Sequence, residues 1–304
     1  MLLSFIIATY KNNHSLLKAV ITLLEICDAK KIAYEIIVVD NYDTDEYIKV
    51  VADLQRNEIV LLKNTVKGAH FSRLKGLNHS SGKLVIVVDD DNYLTETYID
   101  FIIAQDNGND EIFMGCATKE FHPVDWDIIN LACTSYACGS LEGYPFKAGV
   151  PVYWGAGMVL SRSLAVKIFE NPLIVEGRVD KKDYIMSGED HEISMRAYLL
   201  NARSVYFSEI GLYHDIDLKR LNNVYYKRLM TGLSYASWLL RPYYALVAKR
   251  FFSSKPYLWL LYNLCCANAY FMMHPLKKDS SLILKDAFSF RRKLKQYRIL
   301  LNYK

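Results

Sequence analysis

Four short apolar runs alternate with helix-period segments across the first ninety residues, and this alternation leaves few folds open. Strands are expected at Leu2–Ala8, Glu35–Val39, Ile59–Leu62 and Leu84–Val88, each a β-branched or aliphatic run too short for a helix. Between them, the stretches from Asn13 to Ala29, Asp43 to Gln55 and Ala69 to Asn78 carry apolar residues at helical spacing. Strands and helices in this order imply a parallel α/β sheet flanked by helices, with binding loops at the carboxyl ends of its strands. Tyr10, Asp40 and Asp89 each follow a strand, so all three are expected on one rim. No GxGxxG and no GxxxxGK[ST] occurs, which argues against a dinucleotide fold or a P-loop.

The fourth run ends in Asp89-Asp90-Asp91. Adjacent carboxylates repel one another unless a cation neutralises them, and hard divalent ions such as Mg²⁺ or Mn²⁺ take carboxylates together with substrate phosphates. The stretch therefore points to a metal-diphosphate site at a strand end. Asp is also an ordinary turn residue, so a solvated acidic turn capping the next helix is the plain alternative.

With 304 residues and 52% hydrophobic content, the chain can bury a sizeable core, which excludes a disordered protein. Its net charge of +4 hides an asymmetry: residues 216–304 hold 17 Lys and Arg against 3 Asp and Glu, leaving the rest acidic. We read 1–215 as an α/β domain and 216–304 as a basic, aromatic-rich helical region. The six cysteines form no CxxC pair and no His lies at zinc-finger spacing, so reduced thiols in a cytoplasmic protein are expected. The apolar start lacks a basic n-region and reads as a first strand, not a signal peptide.

Beyond Asp91, strands are expected at Ile112–Cys116, Val152–Leu160 and Ser204–Phe207, and helices at Arg162–Glu170 and Glu189–Leu200. Residues Asn171–Ser187 read as a loop leading into Gly188-Glu189-Asp190. From Leu218 onward the pattern becomes helical, with clusters such as Lys249-Arg250-Phe251-Phe252. Tyr257 to Met273 carries no charge, but it is short for a membrane span, and Asn263 and Asn268 make insertion costly.

Taken in order, Ala8-Thr9-Tyr10, Val38-Val39-Asp40-Asn41, Arg73, Asp89-Asp90-Asp91 and Gly188-Glu189-Asp190 resemble the motifs of family 2 glycosyltransferases of GT-A fold, over roughly residues 1–215. The resemblance implies that Thr9, Tyr10 and Asp40 hold the nucleotide base. A Tyr offers a stacking face and a carboxylate accepts a uracil N3–H. Arg73 would reach the diphosphate, although Leu74 stands where the family usually has Asn. The triplet corresponds to the family's DxD motif. Asp91 would ligate Mg²⁺ or Mn²⁺, and Asp89 or Asp90 would face the ribose or a metal-bound water. His214 would supply a further metal or phosphate contact.

The stretch Tyr153-Trp154-Gly155-Ala156-Gly157-Met158 resembles the family's small-residue strand beside the sugar, with Trp154 offering an apolar face. The same glycines read alternatively as a bulge. Asp190 would be the general base of an inverting displacement, and Glu189 would position the loop or acceptor. Without the family, two acids at a helix N-terminus read as complements of its dipole. The QxxRW motif of processive synthases does not follow the Glu-Asp pair, which favours transfer of one sugar per acceptor.

The resemblance implies an inverting, metal-dependent glycosyltransferase using a UDP-sugar and a glycan or lipid-linked hydroxyl acceptor in bacterial surface polysaccharide synthesis. The basic region would touch the anionic inner face of the cell membrane peripherally. Two rivals stay open. A polyprenyl-phosphate glycosyltransferase would need no general base, and a non-catalytic nucleic-acid or membrane-binding protein would use the basic tail alone. A nucleotidylyltransferase is disfavoured because Thr9-Tyr10-Lys11-Asn12-Asn13 contains no glycine.

Overall fold

The computed structural model describes residues 2–240 apart from 12–13, 43–45, 107–110, 143–149 and 176, together with Tyr243, Tyr244 and Val247. The uncharged run Tyr257–Met273 and the basic clusters around it lie outside the described residues.

The expected alternation is present as β1 (Leu2–Thr9), α1 (His14–Lys30), β2 (Ala33–Asp40), α2 (Glu46–Ala52), β3 (Ile59–Lys63), α3 (Ala69–His79) and β4 (Leu84–Asp89). There follow β5 (Asn92–Leu94), α4 (Glu96–Ala104), β6 (Ile112–Glu120), the single turn α5 (Trp126–Ile129), β7 (Val159–Ser161) and α6 (Arg162–Phe169). The chain continues through β8 (Val179–Asp180), β9 (Ile185–Met186), α7 (Glu189–Leu199), β10 (Arg203–His214) and α8 (Asn223–Leu239). One sheet takes the order β3-β2-β1-β4-β7-β6-β10-β5. β1 to β4 run parallel, as do β6 and β10, whereas β7 is antiparallel to β4 and β6, and β5 to β10. It is a mainly parallel sheet flanked by helices, the class the sequence predicts.

Strand periodicity divides the apolar side chains between two cores. Leu3, Phe5 and Ile7 of β1 face α1 and α4 through Leu16, Val20, Ile99 and Ile102. Ile6, Val85 and Val87 point the other way, toward Leu164 and Ile168 of α6 and Ile193 of α7. Each such fully buried aliphatic side chain contributes about 1.5–3 kcal/mol, so both faces hold the strand ends in place. Cys27, Cys116 and Cys138 are buried within this framework, Cys133 is half-buried, and none is bridged.

β5, α4 and the turn α5 are additional to the expected elements, and three expected ones differ. Only Val159–Ser161 of the expected strand Val152–Leu160 is a strand. The residues before it are irregular, because the chain turns at Gly157 with φ +72°, a value that disfavours a side chain. The loop Asn171–Ser187 contains the short hairpin β8–β9. β10 runs on through register shifts to His214, which is thus the last residue of a strand paired with Asn92 and Glu120.

The start of the basic region packs against this unit. Tyr235, Ala236 and Leu239 of α8 share a core with Met195 and Leu199 of α7. Gly232 lies so close to β9 that a Cβ there would run into the Ile185 carbonyl oxygen.

Candidate active site

Parallel register sets four strand ends side by side. Thr9 is opposite Asp40, Asp40 opposite Lys63, and Ala8 opposite Asp89. Thr9 Oγ1 donates to Asp90 Oδ2 at 2.6 Å, and the Tyr10 N–H approaches the same oxygen at 3.4 Å. Tyr10 is 52% exposed, and its ring meets Tyr42 edge-on at 5.4 Å. Asp40 is fully buried. Its Oδ1 accepts from the Tyr42 N–H at 2.9 Å and its Oδ2 from Lys63 Nζ at 2.8 Å. The carboxylate assigned to the base by resemblance thus also orders the loop that carries Tyr42. Lys63 was not anticipated, although its position at the end of β3 beside Asp40 is the signal that would have found it.

Arg73, 4% exposed on α3, donates from Nη2 to Asp89 Oδ1 at 2.9 Å and from Nη1 to Glu189 Oε1 at 2.8 Å. Room for the guanidinium comes from Gly155, where a Cβ would stand 3.0 Å from Nη2 and 3.2 Å from Nη1. Burial pushes the Glu189 carboxyl above its ordinary range, and Arg73 opposes that shift. Trp154, next to Gly155, is half-buried against the α1–α4 core.

Asp91 turns away from Arg73. Its Oδ2 lies 3.5 Å from His214 Nε2 and 3.4 Å from Arg220 Nη1, and its carbonyl accepts from the Asp215 N–H at 2.8 Å. Burial opposes ionisation of Asp91, but His214 and the guanidinium groups of Arg220 and Arg178 outweigh it and hold the carboxyl well below its usual range. Burial likewise opposes charge on His214, and the Asp91 carboxylate overrides it, raising the imidazole to about 10. Arg220 had no local signal in the sequence; only the turn after β10 brings it here.

Among the described residues, no three His, Cys, Asp or Glu side chains are grouped to hold a cation, so Asp89, Asp91 and His214 do not form a closed cage. The Asp91 carboxylate is the oxygen donor here that suits an Mn²⁺ or Mg²⁺ ion, and His214 Nε2, now holding a proton against Asp91, would join it as a ligand only on releasing that proton.

α7 opens with Glu189, Asp190 and Glu192 in its first turn, complementing the helix dipole. Asp190 Oδ1 accepts from the His191 N–H at 2.9 Å and lies 2.9 Å from His191 Nδ1. Burial raises the Asp190 carboxyl, but the His191 imidazolium more than offsets this and leaves it below the usual range. One turn further, Glu192 and Arg196 form a fully buried ion pair at 2.7 Å. Arg196 also donates to the carbonyls of Ile168, Asn171 and Pro172 and from Nε to Tyr243 Oη. Glu192 accepts from the N–H groups of Ile174 and Val175. This network fastens the start of the 171–187 loop to the helix that carries Asp190.

Residues 4–169, more than half of the chain, match the family described as Glycosyl transferase family 2. No curated protein matches the sequence. Among solved structures, the fold is similar to that of S. aureus TarS, at 17% identity and TM-score 0.50, over 79% of this chain and 40% of that one. It is similar also to S. aureus TarS 1-349 in complex with UDP, at 16% identity and TM-score 0.50, over 82% of this chain and 66% of that one. For the complex of TarS 1-349 with UDP-GlcNAc the values are 16%, 0.51, 82% and 67%. The chain therefore spans about two-fifths of the longer TarS structure, and the likeness is one of fold.

Proposed function

The chain belongs to glycosyl transferase family 2, and from that premise we propose that it transfers a single sugar, with inversion, from a UDP-sugar to a hydroxyl of a glycan or lipid-linked acceptor. The observation that carries this reading is the Arg73 bridge, which joins Asp89 at the end of β4 to Glu189 at the start of α7. Donor-side and acceptor-side carboxylates thereby share one rim.

In this reading the exposed Tyr10 ring stacks on the base, and the Thr9–Asp90 hydrogen bond shapes the loop beneath it. Asp190 takes the acceptor's proton as the hydroxyl oxygen attacks the anomeric carbon opposite the leaving diphosphate. Arg73 and Arg220 present fixed positive charge to the diphosphate as its own charge grows. Asp91, joined by His214 once its imidazole gives up its proton, would hold an Mg²⁺ or Mn²⁺ ion, whose chemistry is Lewis-acid stabilisation of that leaving group. We read the product as a surface glycan, and the basic region 216–304 as a contact with an anionic membrane face, supported by its 17 Lys and Arg. No helix among the described residues is long and apolar enough to cross a membrane.

The test is a panel of UDP-sugars, beginning with UDP-GlcNAc because a similar structure binds it, assayed for UDP release with Mn²⁺, Mg²⁺ or EDTA. Metal-dependent release from one donor and an inverted product anomer are expected. Absence of release from every nucleotide sugar would overturn the reading.

A further inference from the structure

The two oxygens of Asp190 are not equivalent. Oδ1 is held twice by His191, through its backbone N–H and its Nδ1, each at 2.9 Å. No described residue donates to Oδ2. The pair sits at the edge of the protein interior, with the Asp190 side chain 18% exposed and that of His191 27% exposed. Among the described residues, the charged groups acting on the pair are Glu189 on the same helix and Arg73 from α3, while α8 brings Leu233 and Ala236 against Gly188.

We propose that His191 is a positioning residue for transfer, pinning Oδ1 of Asp190 so that Oδ2 is presented to the acceptor hydroxyl. The inference rests on the reading of Asp190 as the general base. In the step itself the acceptor O–H bond breaks, its oxygen bonds to the anomeric carbon, and the diphosphate leaves with the electrons of the old C–O bond. The proton ends on Asp190 Oδ2. Partial burial of this carboxylate by itself favours its neutral form, which cannot take the acceptor's proton. The neighbouring imidazolium reverses that preference, for burial disfavours its charge but Asp190, and after it Glu189, restore it. The base therefore stays ionised to lower pH than its seat would otherwise allow.

The test uses the full chain labelled with ¹⁵N-histidine, the His191 resonances being identified by their loss in His191→Asn. In wild type the imidazole should titrate above the ordinary histidine range, and in Asp190→Asn its midpoint should fall by about one pH unit or more. In parallel, UDP release from UDP-GlcNAc is followed with water as acceptor. His191→Ala should lower kcat about 10–100-fold with donor KM within about twofold, as expected for misaiming a general base. His191→Asn places an amide nitrogen where Nδ1 stood and should recover most of that loss at high pH. Both variants should move the acidic limb of the rate profile upward by about one pH unit. Identical His191 titration in wild type and Asp190→Asn, or an unmoved acidic limb in both His191 variants, would overturn the proposal. If Asp190→Asn itself released UDP undiminished, the base reading would fail. If it were inactive while both His191 variants behaved as wild type, the role of His191 alone would fail.

Discussion

Arg73 and Glu189, separated by 116 positions in the chain, meet at 2.8 Å in a pocket where their side chains are 4% and 7% exposed. The same guanidinium reaches Asp89, so one residue couples the acid triplet to the helix that carries Asp190. Removing it strands a buried carboxylate.

Arg73→Ala should therefore destabilise the protein by about 3–5 kcal/mol, the usual consequence of deleting one partner of a buried pair. Arg73→Lys keeps the charge but not the two-pronged geometry and should lose less stability while still weakening UDP binding. Thermal melts and calorimetric UDP titration measure the two effects separately. An Arg73→Ala melt equal to wild type would contradict the burial argument.

Gly155→Ala should misplace this guanidinium while leaving the fold intact. A Cβ only 3.0 Å from Nη2 forces a shift of a few tenths of an ångström, and displacements of that order at a reacting centre cost roughly tenfold in rate. The check is kcat for UDP release alongside an unchanged circular dichroism spectrum.

Asp91→Ala should lower UDP release about a thousandfold and remove its response to Mn²⁺, since the lost group would hold the cation that stabilises the leaving diphosphate. EDTA should have the same effect on wild type. Full activity in EDTA would exclude the cation.

Asp190→Asn should retain donor affinity and lose about 10²–10⁴-fold in transfer, the range for removing a general base. Comparing UDP binding with product formation separates the outcomes. Lost affinity with preserved turnover would make Asp190 a binding residue.

Tyr243→Phe probes the segment beyond α8. Its hydroxyl accepts from Arg196 at 2.9 Å and donates to Glu192 at 3.0 Å, where all three side chains are fully buried. Losing hydrogen bonds to charged groups should cost about 1.5–3 kcal/mol, read from urea unfolding. An unchanged midpoint would mean that Tyr243 does not close this network.

Much of this architecture was legible because it is written locally. The runs Leu3–Ile7, Ile36–Val39 and Leu84–Val88 declare themselves as buried strands through composition alone, and α1, α3 and α7 through their apolar spacing. The same local reading failed at 152–158, where apolar residues suggest a strand but the backbone turn at Gly157 interrupts it. It also ended β10 at Phe207, because register shifts before Leu212 break the alternation that marks a strand.

Local sequence patterns specify the sheet, its strand-end rim and the carboxylates placed there, since strand and helix signals are short-range and the acid motifs sit at strand and helix ends. Which of those carboxylates face one another was decided only in three dimensions. Arg73 chooses Asp89 and Glu189, Asp91 pairs with His214 and Arg220, and Lys63 satisfies Asp40. No local pattern encodes such choices. A buried charge takes whatever counter-charge the packed elements bring within reach, and strand order and helix docking set that reach.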